Sequence, residues 1–238
     1  MTDHPSDGPR YALYHAPAPG SPLERFGAAW LGRGVDGDRA PPRPTVPKLQ
    51  ARGLDLDGIT RAPRQYGFHA TLKAPFALAE GVDAEALASA VEAFAAREAP
   101  VAGPELVVSA LGGFVALVPG AAAPAVDTFA ARVVEAFEPF RAPLPASERA
   151  RRLAGGLTDR QVALLDRWGY PFVFAEFFFH MTLTGRLAPD DADAVVCALA
   201  PLVASSDMRS LRIEALDIFH QPDRSTPFTR WRRVPLAG

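Results

Sequence analysis

Two short segments of the sequence carry the same pattern, F-H-x-T-L. The first contains His69 and Thr71, and the second contains His180 and Thr182, close to half the chain length further on. Histidine can accept and donate protons near neutral pH because its unperturbed pKa is about 6.5. A threonine hydroxyl can donate a hydrogen bond to a negatively charged oxygen. The repeated pattern therefore indicates general acid–base chemistry on a group such as a phosphate.

Each motif has the alternation typical of a β-strand, whose side chains point to opposite faces in turn. His69 and Thr71 share one face of the first strand, and the apolar residues between them face the core. His180 and Thr182 share one face of the second strand in the same way. Both polar faces continue into a cation, which suits a phosphate. We therefore expect further substrate contacts at four positions with matching alternation: Lys73, Thr184, Arg186 and Phe178.

These four expected contacts differ in how strongly the sequence favours them. Lys73 is the preferred phosphate contact, because Lys48 is the only other lysine and arginine supplies the remaining basic residues. Phe178 could stack on a base or a sugar. Core packing is favoured for Tyr66, which has the opposite alternation. A solvated surface position is favoured for four arginines that could also reach a phosphate: Arg64, Arg149, Arg151 and Arg152.

One imidazole from each motif, facing the other across a cleft, could hydrolyse a cyclic phosphodiester. One histidine would deprotonate water, the other would protonate the leaving oxygen, and the two threonines would bind the non-bridging oxygens. The sequence leaves open which histidine is the base. A single strand histidine is more often a packed or surface residue, but two copies in matching elements favour a function. A metal site fits poorly because no third ligand has suitable spacing. We therefore expect neither a metal nor a cofactor.

The elements around the motifs occur in the same order in both halves of the chain. The predicted strands are 10–16, 65–74, 105–111, 114–118, 173–187, 210–219 and 228–234. The predicted helices are 21–31, 83–98, 125–137, 147–168 with a break near 155–156, and 190–203, whereas 49–63 is ambiguous. This order favours an α+β fold with antiparallel or mixed sheets. We expect one domain of two pseudo-symmetric lobes, about 10–120 and 121–238, around a central cleft.

Composition excludes several classes of protein. The chain has 238 residues, 48% of them hydrophobic, with 25 basic and 27 acidic side chains, which is typical of a folded globular protein. The balanced charge argues against broad non-specific binding of nucleic acid. Cys197 is the only cysteine, so no intramolecular disulfide can form. The polar N-terminal segment and the absence of a long apolar run predict no signal peptide, no membrane contact and a cytoplasmic location.

With its paired histidine motifs, the sequence resembles the 2H phosphoesterase superfamily, which such motifs define. Three longer strings, at 66–76, 157–171 and 179–187, resemble one bacterial branch, the DUF1045 group. Members of that group are often named phosphonate-metabolism proteins because they occur with phosphonate-degradation genes. The resemblance covers nearly the whole chain. It implies a two-lobed fold and a substrate that is a 2′,3′-cyclic nucleotide, an RNA end or a ribose cyclic phosphate.

We therefore expect a monomeric, metal-independent cyclic phosphodiesterase that acts on a small phosphorylated substrate. One alternative is a non-catalytic module that binds a nucleotide or an RNA end with the same groups. Both His–Thr pairs are intact, which favours the enzyme, because a binding module would be free to lose one imidazole. RNA-end joining is a third interpretation, and the lack of a strongly basic composition makes it the least favoured.

Overall fold

The computed structural model describes residues 8–38 and 40–238. The prediction of a polar leader without a signal peptide falls largely on residues 1–7, which lie outside the described residues, as does His4. Nine strands occur in the described part: β1 (Arg10–His15), β2 (Ala70–Phe76), β3 (Val101–Ala102), β4 (Leu106–Leu111), β5 (Phe114–Pro119), β6 (Met181–Thr182), β7 (Arg212–Ile213), β8 (Ala215–Gln221) and β9 (Thr229–Pro235).

Eight α-helices accompany these strands in the same part of the chain: α1 (Pro22–Leu31), α2 (Pro47–Gln50), α3 (Leu56–Arg64), α4 (Ala84–Ala95), α5 (Pro124–Ala136), α6 (Ala146–Leu153), α7 (Asp159–Trp168) and α8 (Pro189–Ala204). Local sequence explains their ends. The Ser21 hydroxyl accepts a hydrogen bond from the backbone N–H of Glu24 at the start of α1, and Gly32 ends this helix with a φ of 72°. Among the described helices, none is long and apolar enough to cross a bilayer.

Seven of the strands form one antiparallel sheet in the order β4-β5-β6-β2-β1-β8-β9, and β3 pairs with β7 separately. The main core lies between the sheet and helices α4, α5 and α8, where Val91, Phe129 and Leu199 are fully buried. Burying each such side chain contributes about 1.5–3 kcal/mol. Leu13 in β1 belongs to this core, so its neighbour Tyr14 faces the other side of the sheet.

The predicted α+β fold is confirmed, with differences in detail. The ambiguous segment 49–63 contains the second half of α2 and all but the last residue of α3, and 147–168 forms two helices, with the break where the glycines lie. The prediction of one strand over 173–187 is wrong, because only Met181–Thr182 is a strand. Phe174 has a φ of 55° at the start of a short 3-10 turn, which interrupts the extended chain. The main sheet contains strands from both halves of the chain. The division into two lobes stays a prediction.

Candidate active site

The two histidine motifs lie side by side at the centre of the sheet. β2 and β6 are antiparallel neighbours, and Ala70 lies opposite Met181. One residue to either side of this pair, the same register sets His69 opposite Thr182 and Thr71 opposite His180. The Cβ atoms of residues paired in this way are about 4.5–5.5 Å apart. The structure therefore brings the four residues of the two motifs together on one face of the sheet.

Hydrogen bonds hold the His69 ring in one orientation. Its Nδ1 lies 3.0 Å from the carbonyl oxygen of Gly67, and its Nε2 lies 3.2 Å from the hydroxyl of Thr71. Because a carbonyl can only accept, Nδ1 carries the proton and Nε2 accepts from the hydroxyl when the ring is neutral. The Tyr14 ring stacks on the imidazole with 3.8 Å between centroids. The ring is thus fixed with its Nε2 lone pair next to Thr71.

His180 is anchored in the same way as the first histidine. Its Nδ1 lies 2.9 Å from the carbonyl oxygen of Phe178, two residues earlier in the chain, as Gly67 is to His69. The Phe114 ring lies 5.7 Å from the imidazole centroid. The repeated anchor assigns the proton to Nδ1 in both rings, so Nε2 is the atom of each that is left to exchange a proton.

Burial lowers the pKa of the His69 imidazole. Desolvation lowers its pKa from 6.5 to about 4; the hydrogen bond to the Gly67 carbonyl opposes this, and the nearby His180 adds to it. At pH 7 the ring is therefore neutral and can accept a proton at Nε2.

A cleft of about 1120 Å³ opens over this face of the sheet, and His69, Thr71 and Thr182 line it. Thr71 also lines an adjoining cavity of about 350 Å³ that contains His180. Tyr14 and the 39% exposed Tyr66 contribute aromatic surface to the large cleft. The far wall of the cleft carries five charged side chains: Arg10, Glu148, Arg151, Arg152 and Arg224.

The expected position of Lys73 is wrong. Leu13 of β1 pairs with Lys73 while Tyr14 pairs with Thr71, so β2 advances two residues where β1 advances one. This bulge reverses the alternation of β2 and turns Lys73 away from the cleft. The lysine is only 4% exposed, and its Nζ donates to Glu138 Oε2 at 2.9 Å. Lys73 is therefore part of a buried ion pair and not a phosphate contact.

The other three expected contacts lie around the site, and their role in binding stays a prediction. Thr184 and Arg186 line a side cavity of about 320 Å³ together with Thr182. Thr184 is 1% exposed, and its hydroxyl oxygen accepts a hydrogen bond from the Val115 N–H at 2.9 Å. Arg186 is exposed at this cavity. Phe178 is 52% exposed and lines the cavity of His180.

Several residues of the cleft were missed or misplaced by sequence reasoning. Tyr66 was expected in the core, but it is exposed and stacks on Phe228 at 5.5 Å. The stacking of Tyr14 on His69 depends on the pairing of β1 with β2, which no local pattern reveals. The predicted solvated position fits Arg149 and Arg151, whose side chains are 43% and 67% exposed. Arg64 is half-buried beside Asp57, and Arg152, which is 21% exposed, lines the cleft together with Arg151.

Metal-ligating side chains do not cluster in the described residues: no group of three or more His, Cys, Asp or Glu side chains is placed to hold a metal ion. The side chains that line the cleft include imidazole, hydroxyl and guanidinium groups.

Comparison with known proteins places the chain in a family. Residues 71–229 match the family model described as "Protein of unknown function (DUF1045)". A ribose 1,5-bisphosphate phosphokinase PhnN from Janthinobacterium sp. (strain Marseille) is 39% identical over 236 residues, covering 96% of this chain and 51% of the relative. A protein of the same name from Laribacter hongkongensis (strain HLHK9) is 37% identical over 228 residues, covering 95% and 52%. The chain thus spans about half the length of these curated relatives, and both names describe an enzyme.

Proposed function

From the premise that the chain belongs to the DUF1045 family, we propose that it is a 2H-type phosphoesterase that hydrolyses a cyclic phosphodiester. The observation that carries this proposal is the antiparallel register of β2 and β6, which sets each histidine of one motif opposite the threonine of the other. The identical backbone anchor of His69 and His180 supports it, because both rings keep Nε2 for proton exchange. The resemblance of the paired motifs to the 2H superfamily points the same way.

The proposed reaction needs two proton transfers on opposite sides of one phosphorus atom. His69 is neutral at pH 7, so its Nε2 takes a proton from water as the water oxygen bonds to phosphorus. The bond from phosphorus to one ring oxygen breaks, and His180 gives that leaving oxygen a proton. When the substrate binds, the Thr71 hydroxyl turns its proton from His69 Nε2 to a non-bridging oxygen, and Thr182 donates to the other, where negative charge grows in the transition state. The product is a phosphomonoester.

The phosphokinase name of the relatives suggests another activity, and we assign it to the part of those proteins that this chain does not cover. A nucleotide-binding P-loop has the pattern G-x-x-x-x-G-K-[ST]. The two lysines here follow Pro47 and Leu72, so the printed sequence has no such loop. Within this chain, Lys73 is the lysine nearest the motifs along the sequence, and it is buried against Glu138.

The substrate class that fits best is a ribose cyclic phosphate. The relatives are named for a phosphorylated ribose, and the DUF1045 proteins are often named for phosphonate metabolism. The rings of Tyr14 and Tyr66 give the cleft apolar surface on which a sugar or base can pack. We place the reaction in phosphonate breakdown on these grounds, with 2′,3′-cyclic nucleotides and RNA ends as further candidates.

A screen of cyclic phosphates followed by phosphorus NMR tests the proposal. We expect His69→Ala and His180→Ala each to lower turnover by about 10²–10⁴-fold, the usual contribution of a general acid or base. His220→Ala is the matched control, because His220 stacks on Tyr11 at 4.8 Å outside the cleft. Near-full activity of either cleft variant would refute the two-histidine mechanism. Binding of a cyclic phosphate without turnover by the unaltered protein would support the non-catalytic alternative instead.

A further inference from the structure

We propose that the cleft contains a second anion-binding subsite, formed by four arginines, for a phosphate group at the far end of the substrate. The inference rests on the proposed function, because it concerns the substrate of the same cleft. The four arginines come from three separate parts of the chain and line one wall: Arg10 on β1, Arg151 and Arg152 on α6, and Arg224 after β8.

Glu148 holds three of these guanidinium groups in place. Its carboxylate accepts hydrogen bonds from Arg152 at 3.0 Å, Arg224 at 3.1 Å and Arg151 at 3.4 Å. Burial opposes ionisation of this carboxyl, but Arg152 and Arg224 outweigh burial and hold its pKa below the usual value. Each guanidinium has five N–H donors, so one bond to Glu148 leaves Arg151 and Arg152 with donors for a ligand. Glu148 is the one acidic side chain among the described residues that line the cleft, which leaves an excess of positive charge.

Arg10, at the start of β1, adds a fourth positive charge to the cleft. Its Nε donates to Gln221 Oε1 at 2.9 Å, which fixes the plane of the guanidinium group. Burial lowers the pKa of Arg10, and the neighbouring charge of Arg224 lowers it further. The Nε of Arg152 is also buried without a hydrogen-bond partner. An anion bound between these groups would relieve the repulsion between Arg10 and Arg224.

Arg10 lies along the sheet from the histidines, because it shares a face of β1 with Tyr14 four residues away, about 13 Å at the usual rise of a strand, and Tyr14 stacks on His69. The Arg10 guanidinium lies 5.1 Å from the Phe228 ring, that ring lies 6.2 Å from Tyr14, and Tyr14 lies 3.8 Å from His69. These distances add to about 15 Å, which is the upper limit of the separation. A ligand that reaches both sites therefore needs two phosphate groups joined by a spacer such as a sugar.

The substrate class that follows is a pentose or nucleoside cyclic phosphate with a second phosphomonoester at its other end. In this arrangement the cyclic phosphate lies between the histidines. The sugar lies over the exposed ring of Tyr66, and the terminal phosphate lies among the arginines. The arginines thus select the substrate and do not take part in the proton transfers.

Calorimetric titration with ribose 5-phosphate tests the subsite without any turnover. We expect Arg10→Gln and Arg224→Gln each to weaken binding by roughly 10- to 100-fold, because each removes charge-assisted hydrogen bonds to the phosphate. Arg149→Gln is the matched control: Arg149 lies on α6, pairs with Asp166 and points away from the cleft. His69→Ala should keep the affinity of the unaltered protein. The thermal midpoint of each variant shows that it is folded.

Three results would overturn the subsite. These are no binding of ribose 5-phosphate by the unaltered protein, equal weakening by Arg149→Gln, and loss of binding in His69→Ala with binding kept in both arginine variants. The last would place the phosphate at the histidines.

Turnover then separates this inference from the proposed function. A 2′,3′-cyclic nucleotide and the same compound with a 5′-phosphate differ only at the end that the arginines would bind. We expect the 5′-phosphorylated compound to have a kcat/KM at least tenfold higher, and Arg10→Gln to remove that preference. Equal kcat/KM for the two compounds would overturn the subsite and leave the phosphodiesterase intact. If no cyclic phosphate is hydrolysed, the proposed function fails while the ribose 5-phosphate titration still decides the subsite.

Discussion

Acid titration of His69 is the most direct test of how the cleft tunes its base. Burial lowers the pKa of this histidine from 6.5 to about 4. One pKa unit corresponds to 1.36 kcal/mol, so the folded protein favours the neutral ring by about 3 kcal/mol. Because a base works only when unprotonated, the acid limb of kcat/KM should fall near pH 4 to 5 and not near 6.5.

The same shift makes stability depend on pH, with a definite sign. The unfolded chain binds a proton at this histidine as the pH falls below about 6.5, whereas the folded chain binds it only near pH 4. Between these values the unfolded state holds more protons, so the free energy of unfolding falls as the pH falls. The contribution of His69 is fully present above pH 6.5 and is lost as the pH drops to about 4. His15, whose pKa burial lowers to about 3, acts in the same direction.

The measurement therefore compares the unaltered protein with His69→Gln, in which only one of these two histidines is removed. Urea unfolding at pH 7 and at pH 4.5 should show a steeper loss of stability in the unaltered protein, by up to about 3 kcal/mol. NMR of the labelled imidazoles gives the pKa of His69 itself. A His69 pKa near 6.5, or the same pH dependence in both proteins, would show that the cleft does not desolvate this ring.

Further predictions concern the threonines, the buried lysine and metal ions. Thr71→Val and Thr182→Val should each lower kcat by about 10–10³-fold, the scale of a lost transition-state hydrogen bond, with KM little changed; equal kcat in either variant would remove that threonine from the mechanism. Lys73→Met should keep turnover but lower the free energy of unfolding by about 1–3 kcal/mol, because Glu138 loses one charged partner and keeps Arg141; a large loss of kcat in folded protein would return Lys73 to the site. Activity should survive exhaustive EDTA treatment, and loss of turnover restored by zinc or manganese would indicate a metallohydrolase.

The sequence predicts what depends on local patterns. The alternation in the two F-H-x-T-L motifs correctly predicts that His69 and Thr71 share a face, because a strand repeats every two residues. Ser21 and Pro22 correctly mark the start of α1, because a helix end needs a side-chain acceptor and tolerates proline. The matching order of elements in the two halves predicts that the motifs meet at one cleft. The pairing of β2 with β6 brings them together.

The sequence does not predict what depends on distant pairing. The wrong position of Lys73 follows from a bulge in β2 that exists only against β1, so the pattern around Lys73 carries no sign of it. Arg10 and Arg224 are far apart in the sequence, and the fold brings both to the lining of the cleft. In a chain rich in arginine, no local pattern separates these two from solvated ones.

The two motifs share a pattern, but the fold supports them unequally, and this inequality supports the roles proposed for them. His69 precedes a seven-residue strand between two neighbours and lies under the buried Tyr14 ring. His180 precedes a strand of two residues, which tertiary contacts hold in place, among them a 2.8 Å hydrogen bond from Trp30 Nε1 to the Leu183 carbonyl. A ring enclosed by packed aromatics loses solvation and stays neutral, which suits a base. Pseudo-symmetry alone would let the histidines exchange roles, whereas the unequal burial favours His69 as the base and leaves His180 to protonate the leaving oxygen.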